Sequence, residues 1–175
     1  LPEGYEHLSF FEDKFVRMAK AVACLQQPEG YWTRSMMDPE HAPGPETSGT
    51  AFFTYGMLWG INNGYLDKDE FMPVVEKAWK YLTKTALQKD WSVGYVQPIG
   101  EKAIPGQVVD AKSTANFGVG AFLLAACEYV RYLEANNNET RKYWTDMAYR
   151  MAAPVLSNMA KGELQKNMIL EVSPN

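Results

Sequence analysis

Trp32 and Arg34 stand two residues apart in the run Gly30-Tyr31-Trp32-Thr33-Arg34, a spacing that sends both side chains to one side of an extended backbone. An indole face stacks on the apolar face of a sugar ring, and a guanidinium holds a carboxylate through two parallel hydrogen bonds. Together they suit an acidic sugar. The same pair also fits a structural reading, with Trp32 plugging the interior and Arg34 pairing with Glu46 or Asp38. Spacing alone leaves both open.

Other polar residues gather nearby in the sequence. Glu46 and Asp110 each lie just before a segment that reads as a helix, and two such carboxylates resemble the pair of a glycosidase. A helix dipole there would hold both pKa values low, which suits a base better than an acid. Helix capping or salt bridges explain them as well. Thr47 and Ser48, with the free N–H groups of a helix start, favour an anion. Ser48 and Ser113 are equally read as plain N-caps. Trp91 and Tyr95 read mainly as packing, His41 as surface, and His7 has no visible partner. No nucleophile elbow, phosphate loop or metal motif occurs, so no cofactor and no metal are implied. Cys24 and Cys127 lie among apolar neighbours and read as buried free thiols.

The elements that must hold these residues form a repeat. Thr50, Ala51, Phe53 and Gly56 recur 64 positions later as Thr114, Ala115, Phe117 and Gly120. The apolar stripe Phe11, Phe15, Met18 and Val22 recurs 60 positions later as Phe71, Val75, Ala78 and Leu82. Each unit is an amphipathic helix, a long loop and a helix apolar on every side, the plan of a helical-hairpin toroid with outer and inner helices. Ser9 with Glu12 predicts a capping box at the start of the first helix, which should stop near Gln27, before Pro28. The second helix starts at about Thr47 or Ser48 and ends near Asn63, with Gly64 as its stop. The third opens at Asp67 with Pro73 in its first turn and continues to about Leu87, and the fourth runs from near Ser113 to Glu134. Trp144, Met147, Met151 and Val155 suggest one more helix, bent or ended by Pro154. In such a toroid the outer-to-inner loops crowd one rim, so Trp32, Arg34, Glu46, Thr47, Ser48, Trp91, Gln97, Asp110 and Ser113 should cluster there.

A 175-residue chain with 46% hydrophobic residues can bury its own core. The net charge of −4 and the lack of a basic run argue against a nucleic-acid partner. Ala115 to Cys127, the longest apolar stretch, is too short to span a bilayer, so no membrane is expected either. The chain begins at Leu1 without an initiator methionine, the mark of a processed or partial chain. The sequon at Asn138 carries no weight as a three-residue match.

The runs Gly30-Tyr31-Trp32-Thr33-Arg34, Glu46-Thr47-Ser48-Gly49-Thr50-Ala51 and Trp59-Gly60-Ile61-Asn62-Asn63-Gly64 together resemble glycoside hydrolase family 105, the unsaturated rhamnogalacturonyl hydrolases, kin to the family 88 glucuronyl hydrolases. Gly94-Tyr95-Val96-Gln97-Pro98 and Gly118-Val119-Gly120-Ala121-Phe122-Leu123-Leu124-Ala125 continue the likeness, which covers about 8–134. The resemblance implies an all-α fold, part of an (α/α)6 barrel of roughly twice this length. Residues 1–134 would be its C-terminal half, built from the helix pairs 9–63 and 67–134, and residues 135–175 a helical extension. It implies hydration of the Δ4,5 double bond of an unsaturated uronyl residue in pectin-derived oligosaccharides, by an Asp acid that lies outside this chain. It assigns Trp32 and Arg34 to the subsite for the unsaturated sugar, with Thr47 and Ser48 on the rim beside it. The implied partners are an unsaturated acidic oligosaccharide and either the N-terminal half of the barrel or a second copy, to cover the flanks of the inner helices. The rival reading is a non-catalytic helical-repeat module that binds acidic glycans or a partner protein.

Overall fold

The computed structural model describes residues 4–100, 102–136, 143, 145–150 and 153. Four α-helices follow in order: α1 (Leu8–Ala23), α2 (Thr47–Asn62), α3 (Lys68–Tyr81) and α4 (Asn116–Ala135). A π-helical turn, Leu82–Ala86, prolongs α3. Among the described residues no strand forms beyond two isolated antiparallel bridges, Trp32 with Glu46 and Leu87 with Val93. The expected all-α class therefore holds.

The inner helices α2 and α4 pack on each other more extensively than any other pair. Ala51, Met57 and Leu58 of α2 and Ala121, Phe122 and Ala125 of α4 are buried. The outer helix α3 buries Phe71, Val75 and Ala78, with Leu82 buried just beyond it, the periodic face expected from the repeat, and Trp79 is buried beside them. Across the two inner helices, Asn62 donates to the carboxylate of the buried Glu128 at 2.8 Å, and Arg131 donates to its other oxygen at 2.8 Å.

Several helix ends differ from expectation, each for a local reason. His7, without a side-chain cap bond, precedes α1, so Ser9 lies inside the helix and forms no capping box. The helix stops at Ala23, short of Gln27, and the chain then turns. Gln26 turns inward there, its amide donating to the carbonyls of Gly30 and Val74 at 3.0 and 2.9 Å. Asp67 does cap α3, accepting from the N–H of Glu70 at 2.8 Å. Pro73 falls in the second turn rather than the first, at an exposed position. Gly64 ends α2 in the left-handed conformation, φ 74°. The fourth helix begins at Asn116, after Ala115, and Ser113 does not cap it.

Gly30 fixes where the first loop leaves α1. Its φ is 100°, and a Cβ there would fall on the carbonyl of Lys77 in α3. Gly30→Ala is expected to lower stability by more than about 1 kcal/mol, read as a lower urea midpoint. An unchanged midpoint would mean that the loop can shift freely.

The outer stripe of α1 is only half covered. Phe11 and Met18 remain 49% and 66% exposed, and on the inner helices Phe52 and Leu124 remain 46% and 43% exposed. An apolar groove of about 130 Å³ runs between α1 and α2, lined by Phe15, Met18, Val22, Phe52, Phe53 and Met57. Both cysteines are exposed, contrary to expectation. Cys127 sits one turn after the exposed Leu124 on an uncovered flank of α4, and Cys24 lies just past the end of α1. Of the expected last helix, Met147 is described and buried against the α3–α4 core. Asn138, Trp144, Met151, Pro154 and Val155 lie outside the described residues, as does most of the expected extension.

Candidate functional site

Two loops, 24–46 and 87–115, run from an outer helix to an inner one, and their hydrogen bonds join them at the start of α2. The carboxylate of Glu46 is 4% exposed. One of its oxygens accepts from the N–H and hydroxyl of Ser48 at 3.1 and 2.8 Å and from the N–H of Gln97 at 3.1 Å. The other accepts from the N–H of Gly49 at 2.6 Å. Glu46, not Ser48, is therefore the N-cap of α2. The N–H of Thr47 donates to the carbonyl of Tyr95, whose own N–H donates to the carbonyl of Asp110.

This arrangement answers the question of an anion at that helix start. The free N–H groups that would draw an external anion already serve Glu46 and Tyr95. The anion held by the helix dipole is the chain's own carboxylate.

Thr47 and Ser48, expected on the rim, both have internal partners for their hydroxyls. Thr47 is fully buried, its hydroxyl 2.7 Å from that of Tyr81. Burial pushes the Tyr81 hydroxyl well above its usual range, so it stays protonated. Ser48 spends its hydroxyl on Glu46.

Trp32 is likewise a core residue. It is 1% exposed, packs edge-on against Phe53 with centroids 5.3 Å apart, and donates its indole N–H to the carbonyl of Val22 at 2.8 Å. Its backbone N–H donates to the Thr50 hydroxyl at 3.1 Å. Of the two readings of this indole, the interior plug is the one observed. Neither face is open for stacking.

Arg34 is only half-buried and lines an open polar pocket of about 240 Å³ with Gln97, Pro98, Ile99, Gly100, Lys102, Ala103, Ile104 and Gln107. It pairs with neither Glu46 nor Asp38 among the described ion pairs. One terminal nitrogen donates to the Gln107 side chain at 3.1 Å and to the carbonyl of Ile104 at 3.5 Å, the other to the carbonyl of Gln107 at 3.3 Å. Its Nε is buried and has no acceptor among the described residues. The described lining thus carries two cations, Arg34 and Lys102, and two amides, Gln97 and Gln107, while Glu101 between Gly100 and Lys102 lies outside the described residues.

Asp110 is exposed and folded into its own turn. Its carboxylate accepts from the N–H of Lys112 at 2.8 Å and from the N–H and hydroxyl of Ser113, both at 3.1 Å. The Lys112 bond first, then the Ser113 hydroxyl, hold its pKa below the usual range. Glu46 and Asp110 do not form an acid–base pair: one is saturated with hydrogen bonds and the other is held ionised by local donors. Trp91 is 39% exposed at a hairpin tip with φ 70°, and the Arg150 guanidinium lies 5.7 Å from its ring centroid. His41 is exposed, as expected.

Gln107, Lys102 and Ile104 were not singled out in the sequence. Nothing local marks them, because their link to Arg34 spans some seventy residues. Among the described residues no group of three His, Cys, Asp or Glu could hold a metal ion, and no helix is long and apolar enough to cross a membrane.

Comparison with known proteins extends this geometry. The sequence model for Glycosyl Hydrolase Family 88 matches residues 1–133. An unsaturated 3S-rhamnoglycuronyl hydrolase of Formosa agariphila is 40% identical over 134 residues, 77% of this chain and 34% of that protein. A solved family 88 glycosyl hydrolase from Bacteroides vulgatus is 66% identical, covers 76% of this chain and 38% of its own, and superposes with a TM-score of 0.73. A solved protein described as a polysaccharide lyase is 72% identical over 77% of this chain and 38% of its own, with the same TM-score of 0.73. At 22% identity, a possible family 105 member from Salmonella enterica shares the fold, with a TM-score of 0.65 over 75% of this chain and 34% of its own. These families have the (α/α)6 barrel, and the helix pairs described above are part of one. The chain spans about a third of the length of the curated relatives it matches.

Proposed function

We propose that this chain, which belongs to glycosyl hydrolase family 88, is the C-terminal portion of a hydrolase acting on unsaturated uronyl oligosaccharides of the rhamnogalacturonan or pectin type. The observation that carries the reading is the Arg34 pocket, whose described lining holds two cations, Arg34 and Lys102, and two amides. A uronyl carboxylate entering it could displace the Gln107 amide and accept from the terminal nitrogens of the Arg34 guanidinium. Arg34 is the residue proposed to touch substrate. Trp32, Thr47 and Ser48, also expected at this subsite, would act from beneath it by fixing the loop and the start of α2.

In the proposed reaction a carboxylic acid protonates the Δ4,5 double bond and water adds at C5. The resulting hemiacetal opens and releases the sugar. That acid is placed outside these residues, since Glu46 and Asp110 are engaged as described. The residues that supply it would also cover the apolar groove beside α1 and α2, so the proposed partner is the N-terminal part of the same barrel or, failing that, a second copy. Residues 1–134 would be the barrel portion and 135–175 an appended helical segment.

The test is the ultraviolet absorbance of an unsaturated galacturonyl-rhamnose disaccharide, followed with the chain alone and with the longest form its gene encodes. Loss of absorbance only with the longer form is the expected result. Loss with the chain alone would return the acid to Glu46 or Asp110. A second reading follows from the relative described as a polysaccharide lyase: β-elimination creates the double bond, so absorbance would rise on a saturated polyuronide and stay constant on the disaccharide. Binding of the disaccharide without turnover by the longer form would favour a glycan-binding module.

A further inference from the structure

We infer that Glu46 is a positioning residue for the pocket, fastening the segment 97–107 to the first turn of α2. The inference rests on the reading of the Arg34 pocket as the uronyl site. Three of the four donors on the Glu46 carboxylate belong to its own helix start, whereas the fourth is the N–H of Gln97, 51 residues away. Gln97 opens the segment that forms the pocket wall, and Arg34 holds the other end through Ile104 and Gln107. Among the described residues, no other hydrogen bond ties 98–103 to the body of the protein. The wall is thus held at both ends, and at the Gln97 end the Glu46 bond continues the backbone bonds of Tyr95 with Thr47 and of Val96 with Ser113.

The residue type supports this. Asp, Asn, Ser and Thr are the preferred N-caps, and Glu is not among them. Asp67 caps α3 through a single bond to the N–H of Glu70. Capping alone therefore does not require the longer side chain at position 46. The extra methylene, about 1.5 Å of reach, lets one carboxylate cap the helix and still meet Gln97.

Glu46→Asp separates the two roles in the longest form of the protein. Asp is a better cap but too short to serve Gln97 as well, so the melting temperature is expected to stay within about 3 °C of wild type. Amide hydrogen exchange across 97–107 should quicken about ten-fold, and KM for the unsaturated disaccharide should rise about ten-fold with kcat nearly unchanged, the loss of one charge-assisted hydrogen bond acting on pocket shape. Asp67→Ala, a cap lost without a link to the wall, should lower the melting temperature and leave exchange and KM as they were. Unchanged exchange in Glu46→Asp overturns the proposal, as does quickened exchange with an unaltered KM. If the parent protein turns over no unsaturated uronyl sugar, the function proposed above fails, and exchange across 97–107 alone then decides whether Glu46 fastens the wall.

Discussion

Arg34→Ala in the longest form of the protein is expected to lower kcat/KM for an unsaturated uronyl disaccharide by at least about thirty-fold, while the fold persists. The reason is the proposed pairing of its guanidinium with the substrate carboxylate. Truncating one partner of a desolvated, hydrogen-bonded charge pair costs about 2 to 5 kcal/mol. Arg34 also ties down the carbonyls of Ile104 and Gln107, so its removal loosens the pocket wall and adds to the loss. Arg34→Lys should recover little, because an ammonium cannot reproduce a planar fork whose two terminal nitrogens reach three acceptors. Kinetics with an unsaturated uronyl sugar beside a neutral aryl glycoside would check this. A kcat/KM within two-fold of wild type would remove Arg34 from the site.

Trp32→Ala should be the most damaging single change for stability, at about 3 to 5 kcal/mol by urea unfolding. That is a large fraction of the total stability of a domain. The indole is 1% exposed, packs on Phe53, and holds the carbonyl of Val22 at the end of α1. Its removal leaves a cavity and takes one of two donors from the Val22 carbonyl, which keeps the N–H of Leu25 at 3.0 Å. Trp32→Phe keeps most of the volume and loses only the hydrogen bond, so about 1 to 2 kcal/mol is expected. A loss below about 1 kcal/mol for Trp32→Ala, with a large loss of sugar binding instead, would restore the indole to the subsite as a stacking platform.

These two residues show where a sequence stops being legible. Trp32 and Arg34 stand two apart and were read as a pair facing one way, yet the structure splits them. Trp32 turns into the α1–α2 core, and Arg34 reaches the far loop. Period-two alternation applies to regular strands, and the single bridge at Trp32 is too short to impose it. The helix starts divide in the same way. Asp67 was legible as a cap because its side chain bonds three residues ahead. For Glu46 capping was one of several readings, and its bond to Gln97, 51 residues away, could not be read from spacing.

The class and plan of the molecule are legible along the chain: helix pairs, amphipathic outside and apolar inside, with two long loops from outer to inner helices and the motifs of its family. Those features are local, since a 3.6-residue period, a cap or a glycine stop acts within a few residues along the chain. Tertiary packing sets which polar groups are consumed internally and which line an open pocket. Thr47, Ser48 and Glu46 satisfy one another and the second loop, while Arg34 meets Gln107 and lines an open pocket. Each buried donor and acceptor must find a partner. That partner is set by which loops the packed helices bring together, and spacing along the chain does not record it.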